Sequence, residues 1–308
     1  MTDAVVLDRV TKIYDAGTAS PVRAVNDLSL RIRRGEIFSL VGPDGAGKTT
    51  TIRMMCGVLE PSGGAIEILG LDLRAQRSEV KKHIGYLSQQ FSLYGDLTVS
   101  ENLDFFAEIH RLRGFRQRKE ELLEFTRLGA FRDRLAGRLS GGMKQKLALA
   151  CTLIHTPDVI FLDEPTTGVD PVSRRDFWKI LSSLLKSGIS IIVSTPYLDE
   201  AERSARVALM NQGTLLQCDT PERIKSSFES EVLEIVCDDV RPALKQLQEM
   251  LSRDRIQLFG DRLHVLLPRG GREADTIPAA LQQRGIRVDS VRRLSPSLED
   301  VFIAHVNS

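Results

Sequence analysis

Along the first part of the chain apolar residues alternate with polar ones. Val6, and then Leu28, Leu30 and Ile32 at a spacing of two, predict half-buried strands of an antiparallel sheet. The pattern then changes. Ile37–Val41 is a short apolar run entering a glycine-rich turn, and Ile52, Met55 and Leu59 follow at helical spacing, which predicts strand, loop and helix. Val159–Leu162 and Ile189–Val193 are short runs rich in β-branched residues, each preceded by a helical stretch, as buried parallel strands would be. Between about residues 91 and 157 helical periodicity takes over, with Leu103, Phe106, Ala107 and His110 on one face and Leu122, Leu123 and Phe125 on another, so an inserted helical subdomain is expected. After Pro221 the order reads strand 232–236, helix 242–251, strands 256–259 and 263–267, helix 277–281, strand 286–291 and a closing helix 297–306. That β-α-β-β-α-β order predicts a small ferredoxin-like α+β domain. The expected architecture is an α/β domain over residues 1–220 and an accessory α+β domain over 221–308.

Composition narrows the class. The 308 residues carry 42 Lys and Arg against 41 Asp and Glu, a net charge of +1 that offers no bulk attraction to nucleic acid or anionic membrane. With 42% hydrophobic and 27% charged residues the chain is a globular protein, not a disordered or fibrous one. No run approaches the roughly 18 apolar residues of a membrane span, and Asp3 and Asp8 near the start argue against a secretory leader, so a cytoplasmic location is expected. Cys56, Cys151, Cys218 and Cys237 lack metal-ligand spacing and read as reduced packing residues. The basic run Arg111, Arg113, Arg116, Arg118 and Lys119 is followed at once by Glu120, Glu121 and Glu124 and reads as a solvated helix face.

Three strings carry chemistry. Gly42-Pro43-Asp44-Gly45-Ala46-Gly47-Lys48-Thr49, with Thr50 next, fits G-x-x-x-x-G-K-[ST] between a buried strand and a helix. Glycines let backbone N–H groups wrap phosphates, the helix N-terminus adds its positive end, Lys48 reaches the β- and γ-phosphates, and the Thr49 hydroxyl can ligate Mg²⁺. Val159–Leu162 ends in Asp163 and Glu164, at the strand terminus where open α/β sheets bind ligands. There Asp163 would hold the magnesium and Glu164 would orient or deprotonate an attacking water; otherwise the pair is a solvated strand end. Leu139-Ser140-Gly141-Gly142-Met143 opens another helix with Ser140 as cap, which offers a second anion-binding terminus or simply a cap.

Together these strings resemble the ATP-binding subunits of ABC transporters. The resemblance implies a P-loop cassette with a mixed sheet core, an antiparallel β subdomain and a helical insert. In it Gly42–Thr49 is the Walker A loop, Leu139–Met143 the family signature, and Asp163 with Glu164 the Walker B pair. It further implies that Gln89 contacts magnesium and water, that Asp170, in Thr167-Gly168-Val169-Asp170-Pro171, lies in the loop coupling two cassettes, and that Tyr14 stacks on adenine unless it packs in the core. The implied partners are a second cassette, identical or related, and an integral membrane permease. ATP would be sandwiched between one chain's phosphate loop and the other's Ser140–Gly142. Pro296-Ser297-Leu298-Glu299-Asp300-Val301-Phe302 resembles the closing helix of daunorubicin-resistance-type exporter ATPases that pair with ABC-2 type membrane subunits, or is ordinary helix packing.

One departure matters. In Ser194-Thr195-Pro196-Tyr197, proline stands where the family has a histidine that contacts the γ-phosphate, and proline offers neither an imidazole nor a backbone N–H. The expected function is ATP hydrolysis by a cassette dimer, held on the inner face of the cell membrane by its permease and driving efflux. The alternative is an ATP-gated regulatory cassette with little hydrolysis. Nucleic-acid-acting cassettes fit less well, since only about 90 residues, without sustained heptads, separate phosphate loop and signature.

Overall fold

The computed structural model describes residues 2–18, 20–90, 93–271 and 273–307, so Phe91 and Ser92, at the expected start of the helical insert, lie outside the described residues. Chain contacts divide it into two compact units, Met1–Cys218 and Asp219–Ser308.

In the first unit the chain runs through β1 (Asp3–Tyr14), β2 (Val22–Arg33), β3 (Ile37–Val41), α1 (Lys48–Met55), β4 (Gly63–Ile68), β5 (Leu71–Asp72), α2 (Arg77–His83) and β6 (Ile84–Leu87). Helices α3 (Val99–Ile109), α4 (Arg116–Phe125) and α5 (Gly141–Leu153) follow. Then come β7 (Val159–Asp163), α6 (Pro171–Lys186), β8 (Ser190–Thr195), α7 (Leu198–Ala201), β9 (Arg206–Asn211) and β10 (Thr214–Asp219). Strands β2-β1-β4-β5 form an antiparallel sheet, and β10-β9-β3-β8-β7-β6 form a six-stranded sheet that is parallel from β9 to β6.

Alternation along the parallel strands feeds two cores. Phe38, Leu40, Phe161 and Ile192 pack toward the antiparallel sheet and α1, whereas Ile37, Ile160, Leu162, Ile191 and Val193 pack toward α3, α5 and α6. Both faces of these strands are buried, which is why their sequence reads as continuous apolar runs. The helical insert is anchored by Leu103, Ala107, Leu122, Leu123 and Leu147, and Thr98 and Glu101 close a capping box at the start of α3 worth about 1 kcal/mol.

Several expectations change. Helix α1 stops at Met55, because Gly57 takes a positive φ of 64° that breaks the helical path, so Leu59 lies beyond it. His110 caps α3, is exposed, and stacks on His155 with ring centroids 3.9 Å apart, instead of joining the buried face. Arg111, Arg113 and Arg116 face solvent, but Lys119 is only 12% exposed and donates to both oxygens of Asp104 at 2.6 and 2.7 Å, because α4 brings it against α3. Strands β4, β5, β6, β9 and β10 have no counterpart among the expected strands.

The second unit opens with α8 (Pro221–Ser227), a helix capped by Thr220. It continues with β11 (Ser230–Cys237), α9 (Val240–Met250), β12 (Ile256–Phe259), β13 (Arg262–Pro268), α10 (Glu273–Gln283), β14 (Val288–Leu294) and α11 (Leu298–Asn307). The sheet order β12-β13-β11-β14, antiparallel at each pair, is the ferredoxin-like arrangement that the element order predicts. Its core is Leu233, Ile235, Leu247, Val265, Ile277 and Leu281.

Helix α11 is tied to this sheet by charge. Asp300, 2% exposed, accepts from the Ser297 amide and hydroxyl and contacts His264 Nδ1 at 3.2 Å. On the other side of the imidazole, Glu234 Oε2 lies 3.7 Å from Nε2 and is itself held by Arg262 at 3.1 Å, and Phe259 packs on the ring. Asp300 raises the His264 pKa above its ordinary 6.5 against the opposing effect of burial. A raised histidine contributes stability that is complete below about 6.5 and is lost as pH climbs through the folded-state value. Hydrogen-exchange protection of the α11 amides, corrected for intrinsic rates, is therefore expected to fall as pH rises from near 6.5. His264→Gln flattens that dependence; an unchanged slope in the variant refutes it.

Candidate active site

Strand β3, buried at every residue, ends at Val41 and delivers the chain into the glycine-rich loop before α1. Pro43, Asp44 and Gly45 form the exposed tip, while Gly42 and Ala46 are buried. Gly47 is required twice over: its φ is 94°, and a Cβ there would stand 2.5 Å from the Ala24 carbonyl oxygen. Lys48 is the first residue of α1 and only 4% exposed. Its ammonium donates to the Gly42 and Pro43 carbonyls at 2.7 and 3.0 Å and lies 3.4 Å from Glu164 Oε1. A compact cation held by weakly committed backbone acceptors can be re-aimed at an incoming anion without unfolding the loop.

The β7–β8 register sets Asp163 against Ser194. Asp163, fully buried, accepts from the Thr49 hydroxyl at 2.9 Å and the Ser194 hydroxyl at 2.7 Å, both on Oδ1. Its Oδ2 is buried with no hydrogen-bond partner. An orphaned carboxylate oxygen next to a threonine hydroxyl is the hard-oxygen chemistry that a magnesium ion with its water shell takes. The Asp163 charge also reaches Cys56, whose thiol is pushed up first by burial and then by that carboxylate.

Glu164 follows with its side chain 8% exposed, accepting from Gln89 Nε2 at 3.0 Å and from the Thr167 hydroxyl at 3.3 Å. Lys48, Thr49, Gln89, Asp163 and Glu164 thus meet at the C-terminal end of the parallel strands. Ser194, which the sequence showed only as part of a strand end, joins them; the signal for it is the strand register, which no local pattern reveals. Tyr14 is half-buried and its hydroxyl lies 3.5 Å from Thr50 Oγ1 at the edge of this group.

The remaining expected residues form a second group. Ser140 caps α5 by accepting from the Met143 amide. Gly142 abuts Ser173 of α6 so closely that any Cβ would overlap that side chain. Asp170 caps α6, accepting from Val172 and Ser173 at 3.1 and 2.9 Å, and Ser173 holds its carboxyl below the usual range. Among the described residues no hydrogen bond or ion pair links Ser140–Gly142 to Gly42–Thr50. A cleft of about 420 Å³ runs past Gln89, Gly141, Lys144, Gln145, Thr167 and Gly168. Pro196 directly follows β8, and each of the five histidines has its contacts elsewhere: His83 with Asp158, His110 with His155, His264 with Asp300, and His305 with the Val301 carbonyl.

Strand, phosphate loop and helix on a parallel sheet define the class: an α/β P-loop nucleotide-binding protein. A family model described as ABC transporter matches residues 25–167, and one described as ATP-binding protein DrrA1-3-like, C-terminal domain, matches residues 220–306. Over 210 residues the chain is 44% identical to the probable multidrug ABC transporter ATP-binding protein YbhF of Escherichia coli (strain K12), a match covering 68% of this chain and 36% of that protein. Over 315 residues it is 35% identical to the daunorubicin/doxorubicin resistance ATP-binding protein DrrA of Streptomyces peucetius, covering 98% of this chain and 92% of that one. The dimeric post-hydrolysis structure of the ATP-binding cassette MJ0796 bound to ADP and Pi matches with a TM-score of 0.64 at 27% identity, over 70% of this chain and 98% of the other. The chain belongs to the ABC transporter family, as a cassette ATPase with a DrrA-like C-terminal domain.

Proposed function

We propose that the chain is the ATP-hydrolysing subunit of an exporter, working as a dimer of cassettes beneath a separate ABC-2 type membrane permease. The observation that carries this reading is the convergence of Lys48, Thr49, Asp163, Glu164 and Gln89 at one end of the sheet. In it, the amides of residues 42–49 and the positive end of α1 bind the triphosphate, and Lys48 leaves the Gly42 and Pro43 carbonyls for the β- and γ-phosphates. That motion frees Glu164, which orients a water in line with the γ-phosphate and takes its proton, while Gln89 holds the glutamate's far oxygen. Thr49, Asp163 and Gln89 would hold Mg²⁺, which would supply neutralisation of the phosphate charge. Tyr14 would stack on the adenine.

The separation of the two residue groups supports a second cassette, because Ser140–Gly142 and Asp170 then complete a site whose phosphate loop belongs to the other copy. In this reading translocation belongs to another chain, with this one on the permease's cytoplasmic side; no helix among the described residues is long and apolar enough to cross a membrane. Export of drug-like molecules is supported by the drug-resistance name of the DrrA relative together with the match of the C-terminal unit.

The test is turnover with and without the co-expressed permease. Wild-type chain hydrolyses Mg-ATP and the permease raises the rate; negligible hydrolysis in both states overturns the motor in favour of a gating cassette. Pro196→His restores a donor toward the γ-phosphate, and turnover rises by up to about 10²-fold, by analogy with preorganised donors in other transferring sites. No gain in that variant would mean that the strand end does not face the phosphate.

A further inference from the structure

Behind the site lies a buried carboxylate that the mechanism above does not use. Glu200, in α7, is 1% exposed. Its Oε2 accepts from the Thr166 hydroxyl at 2.9 Å and from the Thr195 hydroxyl at 3.0 Å, and Oε1 accepts from Thr166 at 2.8 Å. Arg174 Nε of α6 stands 3.5 Å from Oε1, with its guanidinium over the Tyr197 ring at 4.6 Å. Thr195 also accepts from the Tyr197 amide, which fixes the turn through Pro196. One side chain therefore joins the loop after Glu164, the strand end before Pro196 and the first turns of α6.

What that junction holds is strained. Glu164 has a φ of 48°, a left-handed conformation that costs a non-glycine residue on the order of 1–2 kcal/mol and persists only when its surroundings impose it. On its N-terminal side the restraint is visible, since the Glu164 amide donates to the Ser194 carbonyl and hydroxyl at 3.2 and 3.0 Å. On its C-terminal side the restraint is Thr166, two residues on, buried and bonded to Glu200. Thr167, whose hydroxyl reaches the Glu164 carboxylate, is next.

We propose that Glu200 is a positioning residue for ATP hydrolysis: by clamping Thr166 and Thr195 it keeps Glu164 in its strained backbone conformation and its carboxylate aimed at the water. This rests on the reading of Glu164 given above. It also gives this chain a device on the strand end where proline replaces the usual imidazole, because Thr195 is held from behind when nothing at 196 can reach forward.

The experiment uses the purified full-length chain and follows kcat, KM, Mg-ATP affinity by calorimetry, and Tm. Glu200→Ala is expected to lower kcat by about 10- to 100-fold, the effect of a shift near 1 Å in a reacting group, with KM and affinity within about threefold of wild type. Glu200→Gln keeps one oxygen where Oε2 accepts both hydroxyls, so its kcat stays within about threefold of wild type. Thr166→Val, which removes one hydroxyl at constant shape, repeats the selective fall in kcat and decides the matter if the alanine variant does not fold. Wild-type kcat in Glu200→Ala or Thr166→Val, with only Tm lowered, overturns the proposal, and so do equal losses in Glu200→Ala and Glu200→Gln. Glu164→Gln is run beside them: if it keeps turnover, the reading of Glu164 has failed; if it loses turnover while Glu200→Ala does not, only the clamp has.

Discussion

Replacing Lys48 with alanine is expected to abolish Mg-ATP binding at any concentration near the wild-type dissociation constant. The Lys48 side chain is 3% exposed and its ammonium lies among two carbonyls and the Glu164 carboxylate, so it sits in a poorly solvated site where charge counts heavily. Removing one member of a desolvated charged contact costs about 2–5 kcal/mol, which is about 30- to 5000-fold in affinity. Titration calorimetry reads this directly. The variant leaves the buried Glu164 without its cation, so a drop in Tm accompanies the loss. Unaltered ATP binding in a folded Lys48→Ala chain would remove the phosphate loop from the mechanism and, with it, every role assigned around it.

Glu164→Gln is expected to do the opposite: binding survives and turnover stops. A glutamine keeps a carbonyl oxygen for the Gln89 and Thr167 contacts at nearly the same shape, yet it cannot take a proton from water. Loss of a general base costs about 10²–10⁴ in rate. ATP that binds and is not consumed should hold two cassettes together, so size-exclusion chromatography with Mg-ATP should show a dimer in the variant and a shorter-lived one in wild type. Turnover within a few-fold of wild type would transfer the base role to another group or to the phosphate itself.

The two variants probe residues that were read with different ease. Lys48 was evident from eight consecutive positions, because phosphate binding by backbone amides is a local property: the glycines, the lysine and the start of α1 all lie within one turn of chain. Glu164 was visible as an acid after an apolar strand, but nothing local distinguishes it from a solvated terminus. The role proposed for it rests on Gln89, 75 positions away in the sequence, and on a left-handed backbone whose amide donates to Ser194. Helix α1 shows the reverse error, where spacing alone carried the helix to Leu59 across a glycine whose positive φ ends it. Lys119 looked solvated because its neighbours are charged, and only the packing of α4 on α3 pairs it with Asp104.

Local order along the chain thus determined much of the element sequence, the phosphate loop, the cap at Ser140 and the β-α-β-β-α-β order of the C-terminal unit. Each of these depends on residues within a few positions of one another, where backbone propensity and side-chain spacing act. The tertiary structure alone decided which polar side chains meet. Ser194 reaches Asp163 through the β7–β8 register, and Glu200 gathers Thr166, Thr195 and Arg174 from three separate elements. Such contacts arise from strand order and crossover, and a buried carboxylate finds its partners only after the sheet has brought distant hydroxyls to it, so no window of sequence contains them.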